Sequence, residues 1–225
     1  MGGLATGLAS YHQNHDSVWI GWSGVAADVI TQKQKKEINQ RLWNQYRSTS
    51  IFLTSKDLDL FYYGFCNQTL WPLFHNFPTF VAYEDKQWES YQRINKVFKE
   101  AILEHADSDD TIWVHDYHLM LLPDMLRQAL PNAKIGFFLH IPFPSYEIFR
   151  LLPWRNAVLK GLMGASLVGF HTHDYVNHFF NSVRRLLGYE HSFGQYMVNS
   201  HMLNVDAFPM GIDFKKFAAD VPEHN

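Results

Sequence analysis

A chain of 225 residues with 19 Lys and Arg against 22 Asp and Glu carries a formal net charge of −3, which argues against a nucleic-acid surface spread over the molecule. Its 47% hydrophobic and 18% charged content is globular rather than disordered, and the length allows one large or two small domains. A single cysteine, Cys66, excludes an internal disulfide framework and points to a reducing, cytoplasmic setting.

Taken in order, Gly2-Gly3-Leu4-Ala5-Thr6-Gly7-Leu8-Ala9 is a glycine pair leading into a small-residue helix. Such a start lets backbone N–H groups approach a phosphate, although the Lys of a P-loop is missing. Residues 17–22, 50–54, 111–115, 134–140 and 166–170 are rich in β-branched and aromatic side chains and predict strands. The last three are nearly continuous apolar runs, as expected of strands covered on both faces. Between the second and third lies a helix over 85–105, with Trp88, Tyr91, Ile94, Phe98, Ala101 and Ile102 on one face. A second helix is predicted over 173–187, capped by Thr172 and stopped by Gly188, with Tyr175, Phe179, Val183 and Leu186 on its inner side. No run approaches the roughly 18 apolar residues of a membrane span, and a secretory signal is lacking. Alternating strand and helix predicts an α/β fold with a mostly parallel, Rossmann-like sheet and helices on both faces. Ligands of such sheets sit beyond the carboxyl ends of the strands.

Those ends carry the chemistry. The third strand exits into His115-Asp116-Tyr117-His118, the fourth into His140-Ile141-Pro142-Phe143-Pro144, and the fifth into His171-Thr172-His173-Asp174. Imidazole and carboxylate groups are costly to bury without partners, so a cluster of them at one sheet edge suggests a polar ligand. A metal site at His115, Asp116 and His118 lacks a matching downstream cluster, and His171 or His173 could simply cap the following helix. Asp116 and His140 are harder to explain structurally, because Pro142 and Pro144 force an extended exit. Aromatic residues, 16% of the chain, fall beside turn formers at Trp19 to Gly24 and from Tyr62 to Pro72; such rings stack on sugar faces while their polar edges bond hydroxyls or phosphates. Trp19 and Phe65 suit the core, whereas Trp22 suits a ligand-facing turn.

These segments together resemble the trehalose-6-phosphate synthase family of retaining glycosyltransferases. The resemblance runs through Gly2-Gly3-Leu4-Ala5, Gly21-Trp22-Ser23-Gly24, Leu70-Trp71-Pro72-Leu73-Phe74-His75, Trp113-Val114-His115-Asp116-Tyr117-His118, Phe138-Leu139-His140-Ile141-Pro142-Phe143-Pro144, Leu152-Pro153-Trp154-Arg155, Leu167-Val168-Gly169-Phe170-His171-Thr172 and Pro209-Met210-Gly211-Ile212-Asp213. It implies the N-terminal, acceptor-binding lobe of a two-lobed GT-B enzyme over 1–209, with 210–225 beginning the inter-lobe linker. It also implies that the family's first strand and C-terminal lobe lie outside this chain. Where the family usually has Gln, this chain has His171.

By that resemblance the parent transfers glucose from UDP-glucose to glucose 6-phosphate, giving trehalose 6-phosphate and UDP. UDP-glucose is then a co-substrate, and neither a cofactor nor a metal is expected. Gly2 and Gly3 would approach the donor diphosphate and His140 the transferred glucose. Trp22, Tyr62, Trp71 and Asp116 would line the glucose 6-phosphate pocket, with Tyr62 on the phosphate. Asp116 and His140 are the catalytic candidates, acting in same-face attack with the departing phosphate as base. Asp116 as a covalent nucleophile is the rival, although no second carboxylate stands at a comparable strand end. The alternatives are a regulatory or sugar-phosphate-sensing module, or another GT-B sugar-phosphate transferase. The fragment alone is expected to be inactive, its partners are the two sugar substrates and the missing lobe rather than nucleic acid or membrane, and a homo-oligomeric parent stays open.

Overall fold

The computed structural model describes residues 14–211 together with Leu8 and His12. The expectations for Gly2 and Gly3, and for residues 212–225 of the linker, lie outside the described residues.

The strands are β1 (Trp19–Trp22), β2 (Ser48–Ile51), β3 (Thr111–His115), β4 (Lys134–Phe138), β5 (Leu167–Phe170), β6 (Gln195–Val198) and β7 (His201–Ala207). They form two sheets: β1 pairs with β2, and a five-stranded sheet runs β3-β4-β5-β7-β6. All pairings are parallel except β6 with β7. The mostly parallel α/β architecture is therefore as expected, and β3, β4 and β5 are neighbours with their carboxyl ends on one edge. The hairpin β6–β7 was not foreseen, because Met, His and Asn dilute its alternation.

Coverage differs from strand to strand. In β3, Ile112 and Val114 are buried while Thr111 and Trp113 are exposed, so this edge strand has one covered face instead of two. In β5, by contrast, Val168, Gly169 and Phe170 are all buried.

The first helix, α1 (Gln32–Tyr46), starts at a Thr31–Gln34 capping box and ends at left-handed Arg47. It buries no residue. It is tied instead to β2 by Asn39, which accepts from Ser50 N at 2.9 Å and donates to Ser50 O at 3.3 Å, satisfying backbone groups left open at a sheet edge. Next comes a continuous helical run, α2, built of Ser55–Asp57, a π-wound Leu58–Leu70 and Trp71–Phe74. A capping box between Thr54 and Asp57 starts it. Helix α3 (Asp85–Leu103) buries Trp88, Tyr91, Ile94, Phe98 and Ile102, the face expected from its periodicity, with Ala101 half-buried at its margin. Phe65 of α2 seats between Tyr91 and Trp88, at ring separations of 4.6 and 5.3 Å.

The remaining helices are α4 (Leu122–Ala129), α5 (Tyr146–Phe149), α6 (Arg155–Met163) and α7 (His173–Leu187). Helix α7 matches its predicted limits: Thr172 Oγ1 accepts from Tyr175 N, and Gly188 closes the helix at φ 74°. Thr172, not His171 or His173, is thus the cap.

Helices α4 and α6 touch through backbone. A Cβ on Gly161 would lie 2.3 Å from Met120 O and 2.7 Å from Leu121 Cα; one on Gly164 would lie 2.3 Å from Asp124 Cα. Such groups can make room only by moving a helix. Gly161→Ala should therefore cost about 2–3 kcal/mol, an overpacking penalty, read as a lowered urea midpoint at unchanged slope.

Candidate functional site

The backbone of Asp116 organises the site. Its N–H donates to Phe138 O at 2.8 Å, extending the β3–β4 ladder one residue past the strand. At the next bond the chain breaks away, with φ 72° and ψ 168°, a region that residues with a Cβ almost never occupy. The turn is over-determined by its neighbours. Asp116 Oδ1 accepts from Tyr117 N at 2.9 Å and from His140 N at 3.3 Å. Two buried residues of α3 hold the segment after the turn: Tyr91 Oη donates to Tyr117 O and accepts from Met120 N, and Asn95 Nδ2 donates to His118 O. Tyr117 Oη reaches back to Asn67 Oδ1 on α2 at 3.1 Å.

Around this turn stand four imidazoles. His115 Nδ1 lies 3.1 Å from His140 Nε2, and the ring of His171 is 5.8 Å from that of His140. His118 stacks on Tyr62 at 5.5 Å with only 9° between the planes. Trp22 lies 6.2 Å from Tyr62, and Trp71 stacks on His75 at 4.0 Å.

The electrostatics stem from burial. Burial pushes the Asp116 carboxyl up, against the Tyr117 and His140 N–H groups and the charges of His171 and His75. Burial takes His115, His118 and His140 down to about 4, with His140 adding to the effect on His115 and His171 to that on His140. His118 Nδ1 lies 4.0 Å from Asp116 Oδ2, the reach of an ion pair. A ring with its pKa near 4 is neutral at pH 7, so the contact is polar rather than ionic. The Asp116 side chain keeps 19% of its exposure. Oδ1 is committed to backbone, and Oδ2 is the oxygen left for a ligand.

The structure thus brings Asp116, His140 and Tyr62 to one rim, with Trp22 against Tyr62. Trp71, 44% exposed, reaches the same side through His75, whose charge acts on Asp116. The winding of α2 accounts for this. Tyr62 and Trp71 are nine residues apart, which at the α-helical 100° per residue is two and a half turns and opposite faces. An i→i+5 helix advances by roughly 80° per residue, so nine steps make about two full turns and one face.

Trp22 is half-buried, with Nε1 donating to Val25 O at 3.0 Å. Trp19, expected in the core, is only half-buried and lines a concavity of about 700 Å³ with Gly21, Trp22 and Ser50. That concavity does not include Asp116 or His140, so its size says nothing about the cluster; the polar convergence marks the site. Four participants lay outside the expected set: His115, His118, His171 and His75. The first two sit inside the motif that carried Asp116 and were legible there as chemistry-bearing residues. Among the described residues, no three His, Cys, Asp or Glu side chains form a set able to hold a metal ion, and no helix is long and apolar enough to cross a membrane.

The model of glycosyltransferase family 20 matches residues 1–225. The chain belongs to glycosyltransferase family 20. It is 44% identical over 216 residues to alpha,alpha-trehalose-phosphate synthase [UDP-forming] A of Dictyostelium discoideum, covering 96% of this chain and 29% of that protein. The apo structure of OtsA matches with a TM-score of 0.84 and 31% identity, over 97% of this chain and 48% of that one. The Burkholderia xenovorans alpha,alpha-trehalose-phosphate synthase (UDP-forming) in complex with glucose-6-phosphate matches with a TM-score of 0.79 and 29% identity, over 94% and 47%. This family 20 chain spans less than half the length of these relatives, corresponding to their N-terminal part.

Proposed function

We propose that this chain is the acceptor-binding lobe of a retaining glucosyltransferase that joins glucose from UDP-glucose to glucose 6-phosphate, releasing UDP. The observation that carries the reading is the convergence of Asp116 and His140 with Tyr62 and its stacked His118 at one rim. The names of the relatives, UDP-forming and solved with glucose-6-phosphate, support the same pair of substrates.

In this scheme Tyr62 bonds the acceptor phosphate, and Trp22 and Trp71 close round the acceptor sugar. Asp116 Oδ2 accepts from acceptor hydroxyls beside the one that attacks, and His140 meets the transferred glucose. Gly2 and Gly3 bring backbone N–H groups to the diphosphate. The acceptor oxygen bonds to the glucose carbon on the face that UDP leaves, and the departing phosphate oxygen takes the hydroxyl proton. Fixed donors at that phosphate and the alignment of two sugars supply the acceleration. The lobe is taken as 1–209, with the linker beginning at 210.

The test is UDP release by the complete enzyme that contains this segment. Release is expected with glucose 6-phosphate and at least about tenfold less with glucose, since a charge-assisted contact is worth about 1.5–3 kcal/mol. Equal rates with the two acceptors, or none with either, would refute the proposal. Tyr62→Phe should raise KM for glucose 6-phosphate about tenfold at nearly constant kcat, the pattern of a binding contact made equally in ground and transition states.

A further inference from the structure

We infer that His115 is a positioning residue for His140, accepting the His140 Nε2–H at its own Nδ1 and so turning His140 Nδ1, as a lone-pair acceptor, toward a hydroxyl of the transferred glucose. The inference rests on the reading of His140 given above and adds to it a residue and a direction for the proton.

The geometry is set by strand pairing. His115 ends β3 opposite Phe138 of β4, and His140 lies two residues further on. The two rings therefore meet edge to edge across adjacent strand ends, with Nδ1 of one 3.1 Å from Nε2 of the other. Each ring is also held from the side. Trp113 lies 4.5 Å from His115, and Phe138 and His171 lie 4.8 and 5.8 Å from His140. The backbone of His140 is fixed by Asp116 Oδ1.

Two neutral imidazoles share one proton across such a contact, which allows two arrangements. If His140 donates, both rings are Nε2–H tautomers, the more stable form of a neutral histidine side chain. If His115 donates, both rings are forced into the Nδ1–H form. The first arrangement is the one this pair adopts. It matters because the hydrogen bond on one nitrogen decides what the other can do. With Nε2–H committed to His115, His140 can only accept at Nδ1, so a hydroxyl donates to it and is oriented by it. Sugar hydroxyls are both donors and acceptors; an acceptor of fixed direction selects one rotamer of the hydroxyl and one pose of the ring.

The pair is tested first without turnover. In the ¹⁵N-labelled 225-residue chain, a scalar coupling through the hydrogen bond should link His140 Nε2 with His115 Nδ1, with the proton on His140. A proton on His115, or no coupling, overturns the assignment. In the complete enzyme, His115→Leu should raise KM for UDP-glucose about tenfold or more, with the melting temperature little changed. His115→Asn, whose side-chain oxygen can stand near the lost Nδ1, should return KM to within about threefold of native. Equal losses in both variants, or none with Leu, would overturn it as well. If the native enzyme transfers no glucose, the proposed function falls, and with it the substrate half of this inference. If it transfers glucose while the chain shows no coupling, only the role of His115 falls.

Discussion

Asp116→Ala should slow glucosyl transfer by about 10²–10³-fold, the loss of one preorganised contact beside the reacting centre, and should also weaken the lobe by about 3 kcal/mol. The stability loss comes from the lost acceptor, and a second variant separates it from a strain that the native turn already carries. Removing the carboxylate strips Tyr117 N and His140 N of their acceptor, and each half-buried donor left unpaired costs about 1–3 kcal/mol. The native residue also holds φ 72° and ψ 168°, a conformation costing a Cβ-bearing residue about 1–3 kcal/mol. Alanine keeps that strain and glycine does not. Asp116→Gly should therefore be as inactive as Asp116→Ala yet more stable by about 1 kcal/mol, after allowing for the extra entropy of an unfolded glycine. Urea denaturation of both variants reads the difference. Alanine as stable as glycine would mean that the turn is not strained, and an active Asp116→Ala would remove Asp116 from the chemistry.

That strain shows which parts of the site a sequence can disclose. Strand, apolar run and chemistry-bearing exit were legible for β3, β4 and β5, because a continuous apolar stretch followed by His, Asp or Pro is a local signal. Adjacency of the three was legible as well, since consecutive parallel strands joined by single crossovers pack side by side. The limits of α7 were legible because Thr172 and Gly188 are strong terminators. The features that stayed hidden depend on non-local fit. The π-winding of α2 defeats any reading by a 3.6-residue period, so Tyr62 and Trp71 were assigned to one pocket through resemblance alone. The one-sided cover of β3 reflects its place at the sheet edge, which no stretch of five residues encodes. The supports of the Asp116 turn, Tyr91 and Asn95, look like ordinary members of an apolar helix face; their polar atoms gain meaning only from the loop packed against them. The His115–His140 contact likewise arises from the register of two strands, over 20 residues apart in sequence.

The same buried imidazoles should make the lobe sensitive to acid. His115, His118 and His140 have folded-state values near 4, lowered by burial from an ordinary value of 6.5. Between those limits the unfolded chain binds protons that the folded chain refuses, so stability is full above about pH 6.5 and is lost as pH falls toward 4. At about 1.4 kcal/mol per unit of separation, lowering the pH from 7 to 5 removes about 2 kcal/mol through His118. His115 and His140 retain more contact with solvent, and about 1 kcal/mol each is a fair discount. Asp116 works the other way, since its raised value lets the folded state take a proton more readily, and between the ordinary carboxylate value and that raised value it offsets part of the loss. The three rings together are expected to remove about 4 kcal/mol between pH 7 and pH 5, a large share of the roughly 5–15 kcal/mol that holds a typical domain together. His118→Phe should leave stability at pH 7 nearly unchanged, because it keeps the stack on Tyr62 and removes a buried ring nitrogen, Nε2, that has no hydrogen-bond partner. It should also flatten the acid dependence by about one proton. Urea midpoints at several pH values decide the matter: a native protein as stable at pH 5 as at pH 7 would mean that these rings are protonated in the folded state, and the neutral pairing at the rim would lose its basis.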